Sequence, residues 1–193
     1  MIPADQIPGD RIIVAGTSGS GKTTLARALA AALNMPHHEL DNLNWGPDWT
    51  EYPPDVLHAR VTEAVSGPRW VIDGNYGKLR HLTWPRADTV VFLDYPKHVV
   101  MWRLLRRTLK RSTTRERLWD SQNVESWRIS FTTKDSVLRW GWTTYERRKR
   151  EFPALIARPE HAHLKVIRFT TPHQTDRWLE ALHAQHTPTG ESA

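Results

Sequence analysis

The stretch "GTSGSGKTTLA" at residues 16–26 stands between a short apolar run, "RIIVAG" (11–16), and the alanine- and leucine-rich segment 22–34. The apolar run predicts a buried strand, and the following segment predicts a helix that ends before Pro36. Glycines between the two allow positive φ angles, so that successive backbone N–H groups point at one anion. The N-terminus of the helix adds a partial positive charge. We therefore expect residues 16–24 to bind a phosphate group.

The spacing of these residues matches G-x-x-x-x-G-K-[ST], the P-loop or Walker A pattern. Lys22 would supply a full positive charge to the β- and γ-phosphates of a nucleoside triphosphate, and the Thr23 hydroxyl is a ligand for Mg²⁺. The alternative is a glycine-rich turn that only joins a strand to a helix. We predict that ATP and Mg²⁺ bind here and that the residues holding the nucleotide are Gly16, Thr17, Ser18, Gly19, Ser20, Gly21, Lys22, Thr23 and Thr24.

Apolar strands alternate with helical segments along the chain, which is typical of a parallel sheet covered by helices on both faces. Five strands are predicted, at 11–16, 37–41, 69–75, 88–96 and 164–170. Helices are predicted at 22–34, 54–66, 97–111 and 175–185. In the helix 97–111 the 3.6-residue period predicts the buried positions Val99, Val100, Trp102, Leu105 and Leu109.

The predicted fold class is α/β, as a three-layer P-loop NTPase domain with a five-stranded parallel sheet over residues 11–186. A short lead at 1–10 precedes this domain, and a flexible tail at 187–193 follows it. The segment 112–150 has a broken helical pattern, and we expect it to form a helical, basic lid inserted into the domain.

The balance of charges favours an anionic partner, because the 193 residues carry a formal net charge of +6 and a sequence pI of about 9.9. A nucleotide, a nucleic acid or a membrane surface would fit this charge. No apolar run approaches the ~18 residues of a membrane span, and the first residues lack the pattern of a signal peptide. The sequence has no cysteine, which excludes disulfides and thiolate catalysis. We expect a cytoplasmic protein without a membrane partner.

Two aspartates end apolar strands, Asp73 in "WVIDGN" and Asp94 in "VVFLDYP". A carboxylate at the carboxyl end of a strand beside the phosphate loop can hold Mg²⁺ through water. We favour Asp73 as the metal ligand that acts with Thr23, and expect Asp94 to order the next helix. The alternative for Asp73 is a turn-forming Asp-Gly pair without a metal. His37 and His38 have no third ligand at a useful spacing along the chain, so no zinc site is predicted there.

A family resemblance is carried by five stretches: "GTSGSGKTTLA", "HELDNLNW", "WVIDGNY", "VVFLDYP" and "WRLLRR". They resemble a family of small bacterial P-loop kinase-like proteins that are related to adenylate kinases and often labelled "DNA topology modulation protein". The resemblance covers about residues 11–182 and is weakest in 112–160. It implies a nucleoside-monophosphate-kinase-like fold with a mobile lid, ATP binding and phosphoryl transfer.

Two motifs within this resemblance imply roles for single residues. "VIDGNY" is similar to the Asp-Gly stretch of adenylate kinases, whose aspartate is near Mg²⁺, which implies that role for Asp73. "PKHVVMWRLLRR" is similar to their proline-started helix, whose two arginines flank the nucleotide, which implies that role for Arg103 and Arg107. The chain departs from adenylate kinases in its lid and lacks a motif for their monophosphate-binding region. The resemblance therefore does not identify the phosphoryl acceptor.

Basic side chains are concentrated in residues 97–117, where the single acid is Glu116. They are Lys97, Arg103, Arg106, Arg107, Lys110, Arg111, Arg115 and Arg117. Arg103 and Arg107 lie one helical turn apart, and we predict that they neutralise charge on the phosphoryl group during its transfer. Closure of the lid would exclude water from that step. The alternatives are a solvated basic helix face or a nucleic-acid surface with interleaved tryptophans, for which the sequence carries no known signature.

The stretch "HELDNLNWGPDW" (38–49) is predicted to lie on the acceptor side of the cleft, at the end of the second strand. Asp41 is predicted to accept a hydrogen bond from a substrate hydroxyl and act as its general base, or else to order the turn. Trp45 and Tyr76 are expected to form a stacking wall for the substrate, or else to belong to the core. Two further residues are expected to orient the acceptor: Asn75 and Arg80.

These observations lead to three hypotheses. The first is a MgATP-dependent kinase for a small molecule such as a nucleoside, a nucleotide or a sugar, with Lys22, Asp41, Arg103 and Arg107 as catalytic residues. The second is a nucleotide-dependent ATPase or switch that transfers phosphate to water. The third is a nucleic-acid-binding protein that ATP regulates.

Overall fold

The computed structural model describes residues 2–74, 76–114, 117–118, 123–124 and 137–186. Its strands are Arg11–Gly16 (β1), His37–Glu39 (β2), Trp70–Asp73 (β3), Thr89–Leu93 (β4), Arg117–Leu118 (β5), Asn123–Val124 (β6) and Lys165–Phe169 (β7). Its α-helices are Lys22–Leu33 (α1), Leu40–Asn44 (α2), Pro54–Ala64 (α3), Arg80–Thr83 (α4), Lys97–Thr114 (α5), Val137–Ile156 (α6) and Pro172–His186 (α7). Over this part of the chain, no helix is both long enough and apolar enough to cross a membrane.

A five-stranded parallel sheet forms the centre of the fold, with the strand order β2-β3-β1-β4-β7. The prediction of an α/β fold with this sheet is confirmed. In the register of the sheet, Val14 pairs with Asp73 on one side of β1 and Gly16 pairs with Leu93 on the other. The carboxyl end of β1, where the phosphate loop begins, therefore lies at the middle of one sheet edge, between the ends of β3 and β4.

Helix α1 follows the loop because its sequence is rich in alanine and leucine, the residues with the highest helix propensity. Leu25, Leu29 and Leu33 recur every fourth residue and are buried. The helix ends at Asn34, which adopts the left-handed conformation and donates its N–H to the Ala30 and Ala31 carbonyls. The apolar face of α1 is thereby packed on the sheet directly behind the phosphate loop.

Two apolar clusters fill the two faces of the sheet and make the domain three-layered. One contains side chains of α1 and α7, including Leu29 and Trp178. The other contains side chains of α3 and the region around α4, including Val61 and Trp84. The interior strands β1, β3 and β4 are apolar along nearly their whole length because both of their faces are covered.

Helix α6 begins within the predicted lid, but its second half packs on the core. Phe152 stacks on Phe92 with 4.3 Å between ring centroids, and Leu155 is buried in the same cluster. The Tyr145 hydroxyl donates a hydrogen bond of 2.8 Å to the Tyr95 carbonyl. Residues 115–116, 119–122 and 125–136 of the predicted lid, like the predicted tail at 187–193, lie outside the described residues. The lid boundaries therefore stay a prediction.

The buried stripe of α5 differs from the predicted one. Val100, Leu104 and Thr108 are buried, whereas Trp102 is 60% exposed and Leu109 is 38% exposed, so the prediction was wrong for the latter two. A Cβ atom on Gly141 of α6 would lie 2.6 Å from Leu104 Cδ2, so α6 approaches α5 closely on this line. Residues 100, 104 and 108 are therefore the buried ones, because this side of α5 packs against α6 and the phosphate loop.

Leu29→Ala is expected to lower the free energy of unfolding by about 2–5 kcal/mol, because it removes a fully buried side chain from the layer behind the phosphate loop. Urea denaturation of the two proteins measures this difference. Leu109→Ala on the exposed side of α5 is the matched control and should cost less than ~1 kcal/mol. Equal losses for both variants would contradict the packing described.

Candidate active site

The phosphate loop between β1 and α1 is a turn that only glycine accommodates at two positions. Gly19 and Gly21 have φ angles of 87° and 95°, in the left-handed region. A Cβ atom on Gly19 would also lie 2.7 Å from the Val100 carbonyl oxygen of α5. The Ser20 N–H donates to the Thr17 carbonyl at 3.1 Å and closes the turn. The loop is thus held in one shape by direct contact with α5.

Lys22 folds back over this loop, where its Nζ donates to the Thr17 carbonyl at 3.1 Å. Burial lowers the pKa of Lys22 to about 8, and the carboxylates of Asp73 and Asp41 oppose that shift. The ammonium group is therefore partly desolvated and lies near two carboxylates. Such a charge gains most from an anionic ligand.

Thr23 and Asp73 lie in contact beside the loop. The Thr23 hydroxyl donates to Asp73 Oδ1 at 2.9 Å, and Asp73 is only 3% exposed. A hydroxyl and a carboxylate are oxygen donors of the kind that Mg²⁺ prefers, so these residues fit that metal. Asp94 instead accepts a hydrogen bond of 3.0 Å from Arg168 Nε on β7. The role of Asp94 in ordering the next helix stays a prediction.

Two residues of β2, His37 and Glu39, lie beside Asp73, and sequence reasoning missed both. His37 Nε2 lies 2.8 Å from Asp73 Oδ2, and one ligand atom each of His37, Glu39 and Asp73 lie within 4.8 Å of one another. Glu39 also forms an ion pair with Arg27. The spacing of residues along the chain did not indicate this cluster, because its third member, Asp73, is distant in the sequence and lies on the neighbouring strand β3. The parallel register, which pairs Glu39 with Asp73, brings them together.

Three of the predicted acceptor residues form one hydrogen-bonded cluster. The Tyr76 hydroxyl donates to Asp41 Oδ1 at 2.6 Å, and the Trp45 side chain hydrogen-bonds to Tyr76. Burial, reinforced by the Asp41 charge, raises the pKa of Tyr76, so Tyr76 stays a donor. Because Asp41 also raises the pKa of Lys22, the cluster lies within electrostatic reach of the loop. Asn75, the fourth predicted residue, lies outside the described residues.

Arginines of α5 contact the other side of the loop. Arg103 Nη1 donates to the Ser20 carbonyl at 3.1 Å, and its guanidinium lies 5.4 Å from the centre of the Tyr95 ring. Arg107, one turn later, is close enough to lower the pKa of Lys22. Both side chains are therefore near the position that a bound triphosphate would take.

Arg148 of α6 approaches the same place, although the sequence suggested no role for it. Its charge lowers the pKa of Lys22, and Asp41 in turn raises the pKa of Arg148 against the stronger effect of burial. The run of basic residues at 147–150 does not show in the sequence which of its cations lies near Lys22. A signal exists in the helical spacing, because Tyr145, Phe152 and Leu155 place Arg148 on the face that packs on the core.

An open cleft of about 460 Å³ lies between the phosphate loop, the end of β4 and α6. Its wall includes Thr17 and Tyr95 on the sheet side and Arg148 and Phe152 on the helix side. Arg80, the fifth predicted acceptor residue, also lines it, with its guanidinium 5.3 Å from the centre of the Trp84 ring. This volume is in the usual range of small-molecule sites.

Asn123 of β6 connects the predicted lid to the loop after α2, a contact the sequence did not indicate. Its Nδ2 donates to the Gly46 carbonyl at 2.9 Å, and its Oδ1 accepts the Trp49 N–H at 3.2 Å. Asp48 and Trp49 there have positive φ angles of 54° and 57°, which are costly for residues with side chains. A residue of the predicted lid therefore contacts the stretch 38–49 that is predicted to form the acceptor side.

No protein-family model matches this chain, and no curated protein matches its sequence. Among solved structures it resembles shikimate kinase from Bacteroides thetaiotaomicron, with 18% identity over 91% of this chain and 97% of the other and a TM-score of 0.51. Shikimate kinase from Acinetobacter baumannii, in complex with shikimate, has 16% identity over 94% of this chain and 96% of the other, with a TM-score of 0.50. A gluconokinase from Sinorhizobium meliloti 1021 has 19% identity over 92% of this chain and 93% of the other, with a TM-score of 0.48. The two shikimate kinases share the fold of this chain, and identities this low show the fold alone.

Lys22→Met is expected to make the free protein more stable at pH 7, because it removes a desolvated ammonium group. The folded-state pKa of about 8 lies below the ordinary value of 10.5, so the unfolded chain binds more protons between these pH values. Wild-type stability should therefore rise with pH across that window, and the advantage of Lys22→Met should shrink.

Denaturant unfolding at pH 7 and pH 10 in the presence of EDTA measures the effect. Lys110→Met, at an exposed position of α5, is the control and should show no comparable pH dependence. A Lys22→Met protein that is less stable than the wild type at pH 7 would contradict the electrostatic description of the loop.

Proposed function

We propose that this chain is a MgATP-dependent phosphotransferase that acts on a small molecule and belongs to the P-loop kinase-like family that its sequence resembles. One observation carries the proposal: the Thr23–Asp73 and Tyr76–Asp41 hydrogen bonds are formed by residues at or just after the carboxyl ends of the paired strands β3 and β2, on the side of the phosphate loop. The residues suited to the metal and those suited to the acceptor are thus neighbours, and the charges of both aspartates raise the pKa of Lys22. A protein that only binds a nucleotide would not need the second set.

The nucleotide would be held by the chain as follows. The N–H groups of the loop and the Lys22 ammonium bind the β- and γ-phosphates, and Thr23 and Asp73 hold Mg²⁺. The metal, when bound, neutralises charge on the phosphate oxygens. Arg103, Arg107 and Arg148 add positive charge around the γ-phosphate, with Arg103 positioned by the Ser20 carbonyl.

Asp41 is the proposed general base. Because the Tyr76 hydroxyl donates to Oδ1, Oδ2 is left to accept the proton of an acceptor hydroxyl. The oxygen of that hydroxyl forms a bond to the γ-phosphorus while the bond from this phosphorus to the bridging oxygen breaks. ADP leaves with the bonding electrons, and the proton remains on Asp41.

The choice of a kinase over an ATPase is supported by the acceptor side of the cleft. A protein that transfers phosphate to water has no need for a 460 Å³ cleft beside the loop or for a Trp45–Tyr76–Asp41 cluster next to it. The likeness in fold to two shikimate kinases supports the same choice.

The experiment that tests this proposal follows ADP formation with and without a panel of nucleosides, nucleotides, sugars and hydroxy acids. A kinase turns over faster with at least one acceptor, and Lys22→Ala abolishes that turnover. ADP formation at one rate regardless of acceptor would instead establish an ATPase. Near-normal turnover by Lys22→Ala would refute the proposed role of the loop.

Asp41→Asn is expected to lower kcat for a hydroxyl acceptor by ~10²-fold or more, because the amide cannot accept the proton. Steady-state kinetics with the acceptor found above measure the change. Asp55→Asn, at an exposed site in the first turn of α3, is the matched control and should leave kcat unchanged. A loss of only a few-fold in Asp41→Asn would show that the nucleophile needs no base, as expected for a phosphate oxygen.

A further inference from the structure

We infer that the acceptor carries a carboxylate or phosphate group, and that Arg80 and Arg158 bind this group in the cleft beside the phosphate loop. The inference rests on the proposed function and names the chemical class of its substrate. It places the anionic group away from the transferred phosphoryl, as a recognition handle for the acceptor.

The charged residues that line the cleft are mainly positive. Among the described residues that line it, five are cationic and two are carboxylates. Asp94 pairs with Arg168, which is not among the lining residues, and Glu151 lies 3.9 Å from Arg147 Nε in an exposed pair that contributes little. Five cations thus share the cleft with one further carboxylate, and this excess of positive charge suits an anionic ligand.

Two of these cations, Arg80 and Arg158, lie near each other in the cleft. Burial lowers the pKa of Arg80, the charge of Arg158 lowers it further, and the charge of Glu151 opposes both. Within the described part of the chain no carboxylate forms a salt bridge with Arg80. Arg158 lies 3.5 Å from Glu160, but both of these side chains are mostly exposed, so the pair contributes little.

Both arginines stand on fixed backbone, which makes the pair preorganised. Arg80 begins α4 directly after the fully buried Leu79, and its guanidinium rests on the buried Trp84 ring. The Arg158 N–H donates to the Leu155 carbonyl at 3.2 Å, and its own carbonyl accepts the His161 N–H at 2.9 Å. A ligand would thus meet two cations already in place.

The position of this pair separates it from the phosphate loop. Arg107 and Arg148 are the arginines whose charges lower the pKa of Lys22, whereas the charge of Arg158 lowers the pKa of Arg80. The same cleft includes Thr17 of the loop, so one small molecule can reach both places. Planar guanidinium groups bind carboxylates and phosphates through paired hydrogen bonds, which gives the site its class of ligand.

The test is calorimetry on the full chain saturated with magnesium and AMPPNP, a non-hydrolysable ATP analogue that fills the loop. Inorganic phosphate and malonate are then titrated as separate probes. The wild type should bind at least one of them saturably in the millimolar range. Arg80→Gln and Arg158→Gln should each weaken that binding by ~10-fold or more, since each removes charge-assisted hydrogen bonds. Tighter binding of phosphate indicates a phosphorylated acceptor, and tighter binding of malonate a carboxylic acid.

Arg177→Gln, at an exposed position of α7 outside the cleft, is the control and should bind as the wild type does. Arg158→Gln keeps the test decisive if Arg80→Gln fails to fold, because the Arg158 side chain is exposed. Equal affinity in the wild type and Arg158→Gln, or no saturable heat up to about 50 mM of either probe, would overturn the inference. A wild type that does not bind AMPPNP would instead refute the proposed function.

Discussion

The contact between helix α5 and the phosphate loop is the constraint on which the rest of the site depends. Gly19 leaves no room for a side chain against the Val100 carbonyl, and Arg103 holds the Ser20 carbonyl from the same helix. Helix α5 also packs against Gly141 of α6. The loop, α5 and α6 are therefore in contact one after another, and these contacts position the basic side chains of both helices. The loop supplies backbone donors, and the helices behind it supply the positive charge.

This arrangement places like charges together at a cost to the free protein. The charges of Arg107 and Arg148 lower the pKa of Lys22, and burial disfavours the charged form of Lys22 and of Arg148. Asp73 and Asp41 offset part of that cost. A bound triphosphate would offset more, because it brings several negative charges to the same place. The site is thus built for its ligand rather than for the stability of the empty protein.

Much of the fold could be predicted because the signals were local. The loop pattern, the apolar strands and the helix that ends at Asn34 are each encoded in a few neighbouring residues. The pairing of Thr23 with Asp73 follows from one further rule, that parallel strands place their carboxyl ends at one edge.

The rest depends on contacts between segments that are distant in the sequence. His37 and Glu39 meet Asp73 only through the register of β2 on β3. Arg148 faces the cleft only because α6 packs its Phe152 on Phe92. In α5, apolar residues occur on more than one face, so the period alone could not show that Leu104 is buried and Trp102 is exposed.

The central claim is that the loop at residues 16–24 binds the phosphates of a nucleoside triphosphate. Calorimetric titration of the folded chain with ATP in the presence of magnesium tests it most directly. We predict saturable binding of ATP at one site, and we expect the heat of binding to be lost in Lys22→Ala. No heat for ATP or GTP at millimolar concentration, on protein shown to be folded, would contradict it.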